Sequence, residues 1–267
     1  MAVATLPKVR GQKTDWATPE YGVCPWPSRR FTVDEYHRLD ELEIFHPDEK
    51  CELLYGWIMA KDPGEPAWER DGDPEEEPLW PYPIRKFTVE EYESMIGAGF
   101  FDANPKFELL DGWITPKMAI DPSHSRTVRL LTACFNRRLA DGWIVSVQQP
   151  VRTGRSEPEP DLAILPGTED DYDGRHPNAS EAAIVVEVGN SSLDRDRELK
   201  LPIYASARVV QYWIVNIIDH RVEVYTQPRG GKKPGYKSCV HYAKGDEIPL
   251  VLAKKKVGSL PVSEFLA

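Results

Sequence analysis

The 267-residue sequence has few cysteines and no long apolar run. Its four cysteines are far apart and form no CxxC pair, so a zinc site or a disulfide framework has little support. No uninterrupted apolar stretch approaches the roughly 20 residues that a membrane-spanning helix needs. The first residues also lack the apolar core of a signal peptide. We therefore expect a soluble cytoplasmic protein with no membrane partner.

The sequence has an excess of acidic residues, and this excess is concentrated near the N-terminus. Hydrophobic positions make up 41% of the chain, which is enough for one large core or two smaller ones. Residues 1–80 carry 9 Lys and Arg against 18 Asp and Glu, whereas residues 81–267 carry 24 against 25. The net charge of −10 argues against a protein that coats nucleic acid, but not against an enzyme that visits it.

Basic residues cluster between Arg229 and Lys256, where eight Lys and Arg are accompanied by Asp246 and Glu247. Such a cluster can bind phosphate by releasing counterions. A set of solvated turns also explains the cluster, and from charge alone that is the interpretation we favour. The glycine-rich stretch 228–235 lacks the strand–loop–helix context of a phosphate-binding loop.

An internal repeat is present in the first half of the chain. Residues 25–61 align without gaps with residues 81–117, and 17 of the 37 positions are identical. In each copy a threonine, Thr32 or Thr88, stands three residues before a glutamate, which is the capping box that opens a helix. A Glu-Leu-Leu run, a glycine turn and a Trp-Ile pair then predict a β-hairpin.

The repeat suggests a division into two regions. Residues 1–80 form an N-terminal extension with a degenerate repeat at 25–61 and an exposed, proline-rich acidic linker at 62–78. Residues 81–267 form the second domain. We expect the extension to be catalytically silent, because nothing like the rest of the chain follows the first copy. Its apolar face would pack on the domain or on a second copy of the chain, which would give a homodimer.

Hydrophobic periodicity after the repeat is typical of an α/β domain with a sheet flanked by helices. Predicted helices lie at 122–140 and 194–207. Predicted strands lie at 143–151, 160–165, 182–188, 211–217, 221–227, 236–243 and 247–252.

Three acidic residues stand at positions that suggest chemistry. Glu187 lies inside the apolar strand Ile-Val-Val-Glu-Val, where an unpaired charge would be very costly. Asp161 begins another apolar strand, and Glu108 opens the second hairpin. If the strands of Asp161 and Glu187 are neighbours, the two carboxylates can converge on one cation, and such ligands suit Mg²⁺ or Mn²⁺. The alternative is an ion pair satisfied within the core.

Two further residues have plain structural interpretations. Lys200 lies four residues after Asp196 on a predicted helix, and a salt bridge between them on a solvated face is the safer interpretation from spacing alone. His124 is interpreted first as a residue at the start of the helix predicted over 122–140.

Several of these stretches resemble a known family. PEPDLAIL at 158–165 and the segment 184–225, preceded in order by FTVEEY, FELLDGWI and DPSH, resemble the bacterial "putative restriction endonuclease" family of PD-(D/E)XK nucleases. The resemblance extends over residues 81–267. It implies a restriction-endonuclease-like core with a mixed central sheet and helices on both faces. It also implies a divalent metal and hydrolysis of phosphodiester bonds.

The resemblance assigns roles to the three carboxylates. Asp161 matches the aspartate of the PD motif, and Glu187 matches the (D/E) position, both as metal ligands. Glu108 matches the acidic residue of the ELLDG element, as an additional metal ligand or a residue that orients water.

The lysine departs from the superfamily motif. Its usual position, two residues after Glu187, is occupied by Gly189. The family's own pattern is similar, with the lysine supplied later by a D-x-x-x-K run that Asp196 and Lys200 match. We expect Lys200 to approach Glu187 across the space above Gly189, and to polarise the attacking water or stabilise the charged phosphate.

The sequence therefore favours a metal-dependent endonuclease that acts on DNA and uses Mg²⁺ or Mn²⁺. One alternative is a catalytically inactive protein of the same fold that binds nucleic acid or protein. Another is a protein whose main role is assembly through the duplicated segment. The joint presence of all four site residues disfavours the first alternative, since a decayed site usually loses one of them.

Overall fold

The computed structural model describes residues 20–22, 26–61, 84–101 and 106–266. The predicted linker at 62–78 and the predicted boundary at residue 80 lie outside the described residues. The chain divides into two compact units, and residues preceding the predicted boundary contribute to both. The first unit is Met1–Val23 with Phe31–Lys86, and the second is Cys24–Arg30 with Phe87–Ala267.

The first unit contains a helix and a four-stranded sheet in the order β1–β4–β3–β2. Its elements are β1 (Glu20–Gly22), α1 (Val33–Glu41), β2 (Cys51–Leu54), β3 (Trp57–Ala60) and β4 (Ile84–Lys86). Thr32 and Glu35 form the capping box that the sequence predicts, with hydrogen bonds of 3.2 and 2.9 Å. The β2–β3 hairpin turns through Tyr55 and Gly56, both at positive φ.

The second unit begins with the same local structure. Its first elements are α2 (Val89–Gly97), β5 (Phe107–Leu110) and β6 (Trp113–Pro116). Thr88 and Glu91 form a second capping box. The β5–β6 hairpin turns through Asp111 and Gly112, again at positive φ. The helix and hairpin predicted for each copy of the repeat are thus both present.

A six-stranded mixed sheet lies at the centre of the second unit, in the order β12–β11–β10–β9–β8–β7. Its strands are β7 (Trp143–Val147), β8 (Leu162–Pro166), β9 (Ile184–Gly189), β10 (Gln211–Asn216), β11 (Arg221–Arg229) and β12 (Gly235–Ala243). β9 and β10 are parallel, and the other neighbouring pairs are antiparallel. Both parallel strands are buried along their whole length, which explains their nearly continuous apolar sequences.

Helices cover both faces of this sheet. α3 (Pro122–Asn136) packs through Leu131 and Phe135 on the face that presents Val186 and Trp213. The other face, which presents Val185 and Tyr212, packs against Tyr204 from a continuous helical segment. That segment consists of α4 (Leu193–Arg195), a π-helical turn (Asp196–Lys200) and α5 (Leu201–Ser206). A mixed sheet between helices is the fold class that the sequence predicts.

A separate hairpin, β13 (Glu247–Leu252) with β14 (Lys255–Pro261), completes the second unit. Ile248, Leu250 and Leu260 join the same apolar core as α3. The sequence pattern does not predict β14, because its first residues belong to the basic run that is typical of a solvated turn. Among the helices of the described residues, none is long and apolar enough to cross a membrane.

Candidate active site

Asp161 immediately precedes β8, and Glu187 lies on the neighbouring strand β9, so the expected proximity of the two strands is correct. β8 and β9 pair antiparallel with Leu162 opposite Val186, so the residue just before β8 continues the register towards Glu187. The backbone N–H of Val188 donates a 2.8 Å hydrogen bond to Oδ2 of Asp161. Both acidic residues are buried, at 8% and 4% exposed. Their burial follows from their place at the inner strands of a sheet covered on both faces.

Lys200 meets the carboxylates in the interior. Its Nζ lies 3.0 Å from Oε1 of Glu187 and 3.3 Å from Oε2 of Glu108. The expected approach to Glu187 is therefore correct. The exposed salt bridge with Asp196 is wrong as an interpretation, because Lys200 and Asp196 are both buried and the ammonium bonds to the two glutamates.

The expected path of the lysine above Gly189 is also wrong. A Cβ atom on Gly189 would lie 2.5 Å from Cδ2 of Leu193 and 3.2 Å from Oδ2 of Asp196. The side chains of Leu193 and Asp196 fill the space in which we expect the side chain of Lys200. The glycine is thus needed for the close approach of the helical segment to β9.

The π-helical turn determines how Lys200 is presented. A π-turn adds one residue to a helix and is frequent at functional sites. Pro202 explains its position, because proline lacks the N–H that would bond to the carbonyl of Glu198 and its ring crowds that carbonyl. A proline inside the predicted helix 194–207 is the sequence signal that could have revealed the irregularity.

Glu108 connects the β5–β6 hairpin to the helical segment. Its Oε1 pairs with Nη2 of Arg195 at 3.1 Å, and its Oε2 contacts Lys200 and accepts a 3.3 Å hydrogen bond from the N–H of Glu159. Arg195 in turn donates to the carbonyl of Pro116 at 2.6 Å. Arg195 is not marked as a site residue by its sequence, since it lies in a run of alternating charges that is typical of a solvated helix. Glu108 thus bridges the two cationic side chains, and its role as an additional metal ligand stays a prediction.

Asp161 is held from two further directions. Nε2 of His124, in the first turn of α3, lies 3.0 Å from Oδ2. The Nε2 of Gln148 donates to Oδ1 at 3.3 Å, from a backbone with φ of 51°, a conformation that costs energy for a residue other than glycine. The interpretation of His124 as a helix-entry residue misses this contact. Gln148 carries no sequence signal beyond being polar at the end of a strand.

Carboxylates dominate the electrostatics of the cluster. Burial raises the pKa of Glu187 well above its usual range, and Lys200 only partly opposes this effect. Burial also raises the pKa of Asp196, to about 6. For Lys200, burial by itself lowers the pKa, but Glu108, Glu187 and Asp196 outweigh it, so the pKa lies above its ordinary value. Lys200 is therefore a protonated ammonium at neutral pH, and the buried carboxylates around it favour a further cation.

The carboxylates line a cavity of about 620 Å³ that also includes Arg195, His124 and Gln148. Within the described ranges, no three His, Cys, Asp or Glu side chains form a preformed metal site. Mg²⁺ does not require one, since it binds through one or two carboxylates and keeps several waters. Lys200 and Tyr204 both bond to Oε1 of Glu187, which leaves Oε2 for a ligand. The donor set of Asp161 and Glu187 fits a hydrated divalent cation.

Comparison with known proteins adds a family and a fold. A family model described as "Uma2: Putative restriction endonuclease" matches residues 89–261. A crystal structure described as a putative nuclease belonging to DUF820 from Anabaena variabilis ATCC 29413 is similar, with a TM-score of 0.51 and 12% sequence identity. The similarity covers 67% of this chain and 97% of the other, and at that identity it concerns the fold alone. A comparison with curated proteins finds no match.

Proposed function

Because the chain belongs to the Uma2 family of "putative restriction endonucleases", we propose that it is a metal-dependent endonuclease that hydrolyses phosphodiester bonds in DNA. The observation that carries the proposal is the meeting of Asp161, Glu187 and Lys200 in one cavity, with Glu108 in contact with the lysine. Mg²⁺ or Mn²⁺ is the proposed cofactor, since the available ligands are carboxylate oxygens.

Asp161 and Glu187 would hold the cation. When bound, a divalent cation lowers the pKa of a coordinated water and neutralises charge on the phosphate. His124 and Gln148 orient Asp161 through the bonds described above. Burial by itself lowers the pKa of His124, but the hydrogen bond and the charge of Asp161 raise it, so the pKa lies above its ordinary value. The imidazole is therefore suited to hold the side chain of Asp161 in place beside the cation.

Lys200 acts on the phosphate or the attacking water. Because its pKa is raised, Lys200 is a hydrogen-bond donor and not a general base. An ammonium at this position stabilises the negative charge that develops on the phosphate oxygens during attack. Glu108 and Arg195 position the ammonium of Lys200, because the carboxylate of Glu108 bridges the two basic side chains.

Supercoiled plasmid DNA provides the test. The protein should nick or linearise the plasmid with Mg²⁺ or Mn²⁺, and should be inactive in excess chelator. Asp161→Asn should slow cleavage by about 100-fold or more, because the amide is a poor metal ligand. Asp170→Asn, an exposed aspartate in the turn after β8, serves as the control that keeps the parent rate. Equal cleavage by Asp161→Asn and the parent, or no cleavage by the parent, would contradict the proposal.

A further inference from the structure

A second concave surface adjoins the candidate active site. It is a groove of about 500 Å³, and Ile120 and Gln148 line both the groove and the cavity. Gln148 is the residue whose side chain donates to Asp161. The groove therefore begins beside Asp161, the proposed metal ligand, and extends away from it. We call this surface the α3 groove.

One stripe of α3 forms a wall of the α3 groove. Ser125, Arg129, Thr132 and Asn136 follow one another at spacings of three or four residues, and so lie on one side of the helix. From first to last this stripe is ~16 Å long at the rise of an α-helix. One strand of duplex DNA places a phosphate about every 3.4 Å along the helix axis. The wall is thus long enough to accompany several consecutive nucleotides.

The chemistry of the α3 groove differs from that of the cavity. Its remaining lining residues are the apolar Ile120, Val128, Ala133 and Val147, together with Gln148, and none of its lining residues is Asp or Glu. Arg129 is exposed and makes no salt bridge with any residue in the described part of the chain. A polyanion can therefore lie in the α3 groove without meeting a carboxylate, and there it meets one free guanidinium.

We propose that the α3 groove binds the sugar-phosphate backbone of the nucleic acid beside the phosphate that is cleaved, with Arg129 paired to one phosphate. The identity of the ligand rests on the proposed nuclease function. A guanidinium matches the geometry of phosphate oxygens, and Ser125 and Asn136 supply neutral donors to phosphate or sugar. Apolar side chains between them suit the sugar rings. Contacts of this kind position a strand but do not read bases, so binding here is independent of sequence.

Binding can be measured apart from cleavage. The probe is a fluorescein-labelled DNA duplex of about 20 base pairs, titrated with the full chain in chelator and followed by fluorescence anisotropy. Arg129→Glu should weaken binding by about tenfold or more, and should reduce the slope of log K against log salt by about one. Arg126→Glu is the matched control. It makes the same charge reversal on an exposed position of α3 that does not line the groove, and should change the affinity by less than about threefold.

A second variant separates the shape of the groove from charge. Ala133→Trp fills the α3 groove without changing charge, and should also weaken binding, while thermal unfolding verifies that each variant is folded.

Equal weakening of DNA binding by Arg126→Glu and Arg129→Glu would overturn the proposal in favour of diffuse electrostatic attraction. Parent-like binding by Arg129→Glu and Ala133→Trp would overturn it as well. The expected binding pattern without metal-dependent plasmid cleavage would support the groove and contradict the nuclease function. Cleavage with parent-like binding by both variants would contradict the groove alone.

Discussion

Lys200 and Glu187 form a buried ion pair between the π-helical turn and β9, with 3.0 Å between Nζ and Oε1. Their side chains are 7% and 5% exposed. Removal of one partner from a buried ion pair leaves an uncompensated charge, and this usually destabilises the folded protein. Here the raised pKa of Glu187 avoids that cost, because the carboxyl group can take up a proton when the lysine is absent.

Lys200→Ala should therefore abolish most cleavage and leave a folded protein. We expect kcat to fall by about 100-fold or more, because the charge on the phosphate loses its donor. KM for plasmid DNA should change by less than about threefold, because the α3 groove is intact. Steady-state kinetics and circular dichroism measure both effects. Unchanged kcat in a folded variant would show that the lysine has only a structural role.

Glu108→Gln should reduce cleavage, whereas Glu52→Gln should not. Glu52 occupies the position of Glu108 in the first copy of the repeat, on β2 of the first unit. Glu108 bridges Lys200 and Arg195, and its amide would hold them poorly. We expect a loss of about tenfold or more for Glu108→Gln. Plasmid cleavage by the two variants, side by side, measures the difference, and loss of activity in Glu52→Gln would contradict a silent N-terminal copy.

Acid should weaken the ion pair between Arg197 of the helical segment and Glu223 of β11. Burial by itself raises the pKa of Glu223, but the Arg197 guanidinium and the Tyr225 hydroxyl bring it down to about 2. A lowered pKa in the folded state contributes stability at pH values above the unfolded value of 4.5, and this stability is lost as the pH falls towards 2. As the pH falls from about 6 to 2.5, the free energy of unfolding measured with urea should decrease more steeply for the parent than for Glu223→Gln. Parallel curves would show that the pair contributes nothing.

Ionisation of Glu157 should lower the stability of the folded protein as the pH rises. It is 2% exposed, and burial, with its contact to Glu93, raises its pKa to about 8. The folded state therefore keeps a proton that the unfolded state releases near pH 4.5, so stability falls as the pH rises from about 4.5 to 8. Glu157→Gln keeps the neutral shape and should be more stable than the parent at about pH 9, by an amount on the order of 1–3 kcal/mol. Equal urea midpoints at about pH 6 and 9 in the parent would exclude this ionisation.

Patterns that depend on local chemistry were predictable from the sequence. The capping boxes at Thr32 and Thr88 appear because a threonine and a glutamate three residues later satisfy each other's backbone groups. Glu187 could be recognised because a carboxylate within an apolar strand is costly unless it has a partner. The pairing of β8 with β9, which brings Asp161 close, agrees with the assumption made from alternation.

Features that depend on tertiary context were not predictable to the same degree. The π-helical turn rotates Lys200 away from the helix face that i,i+4 spacing assigns to it, and the space above Gly189 is taken by Leu193. Gln148 contributes through a strained backbone that no local pattern marks. The partner of Arg195 comes from a hairpin almost ninety positions earlier in the chain, so its burial is a consequence of the fold and not of its neighbours.

A single titration with Mn²⁺ that records ion binding and plasmid cleavage together tests the role of Asp161 and Glu187 as metal ligands. Binding is followed by the loss of the free-ion EPR signal, and cleavage by the conversion of supercoiled plasmid. We expect the binding curve and the cleavage curve to have the same half-saturation concentration, and we expect Glu187→Gln to lose both activities while remaining folded. Cleavage by Glu187→Gln at the parent rate, or cleavage that does not follow ion binding, would contradict the assignment of the Asp161–Glu187 cavity as the active site.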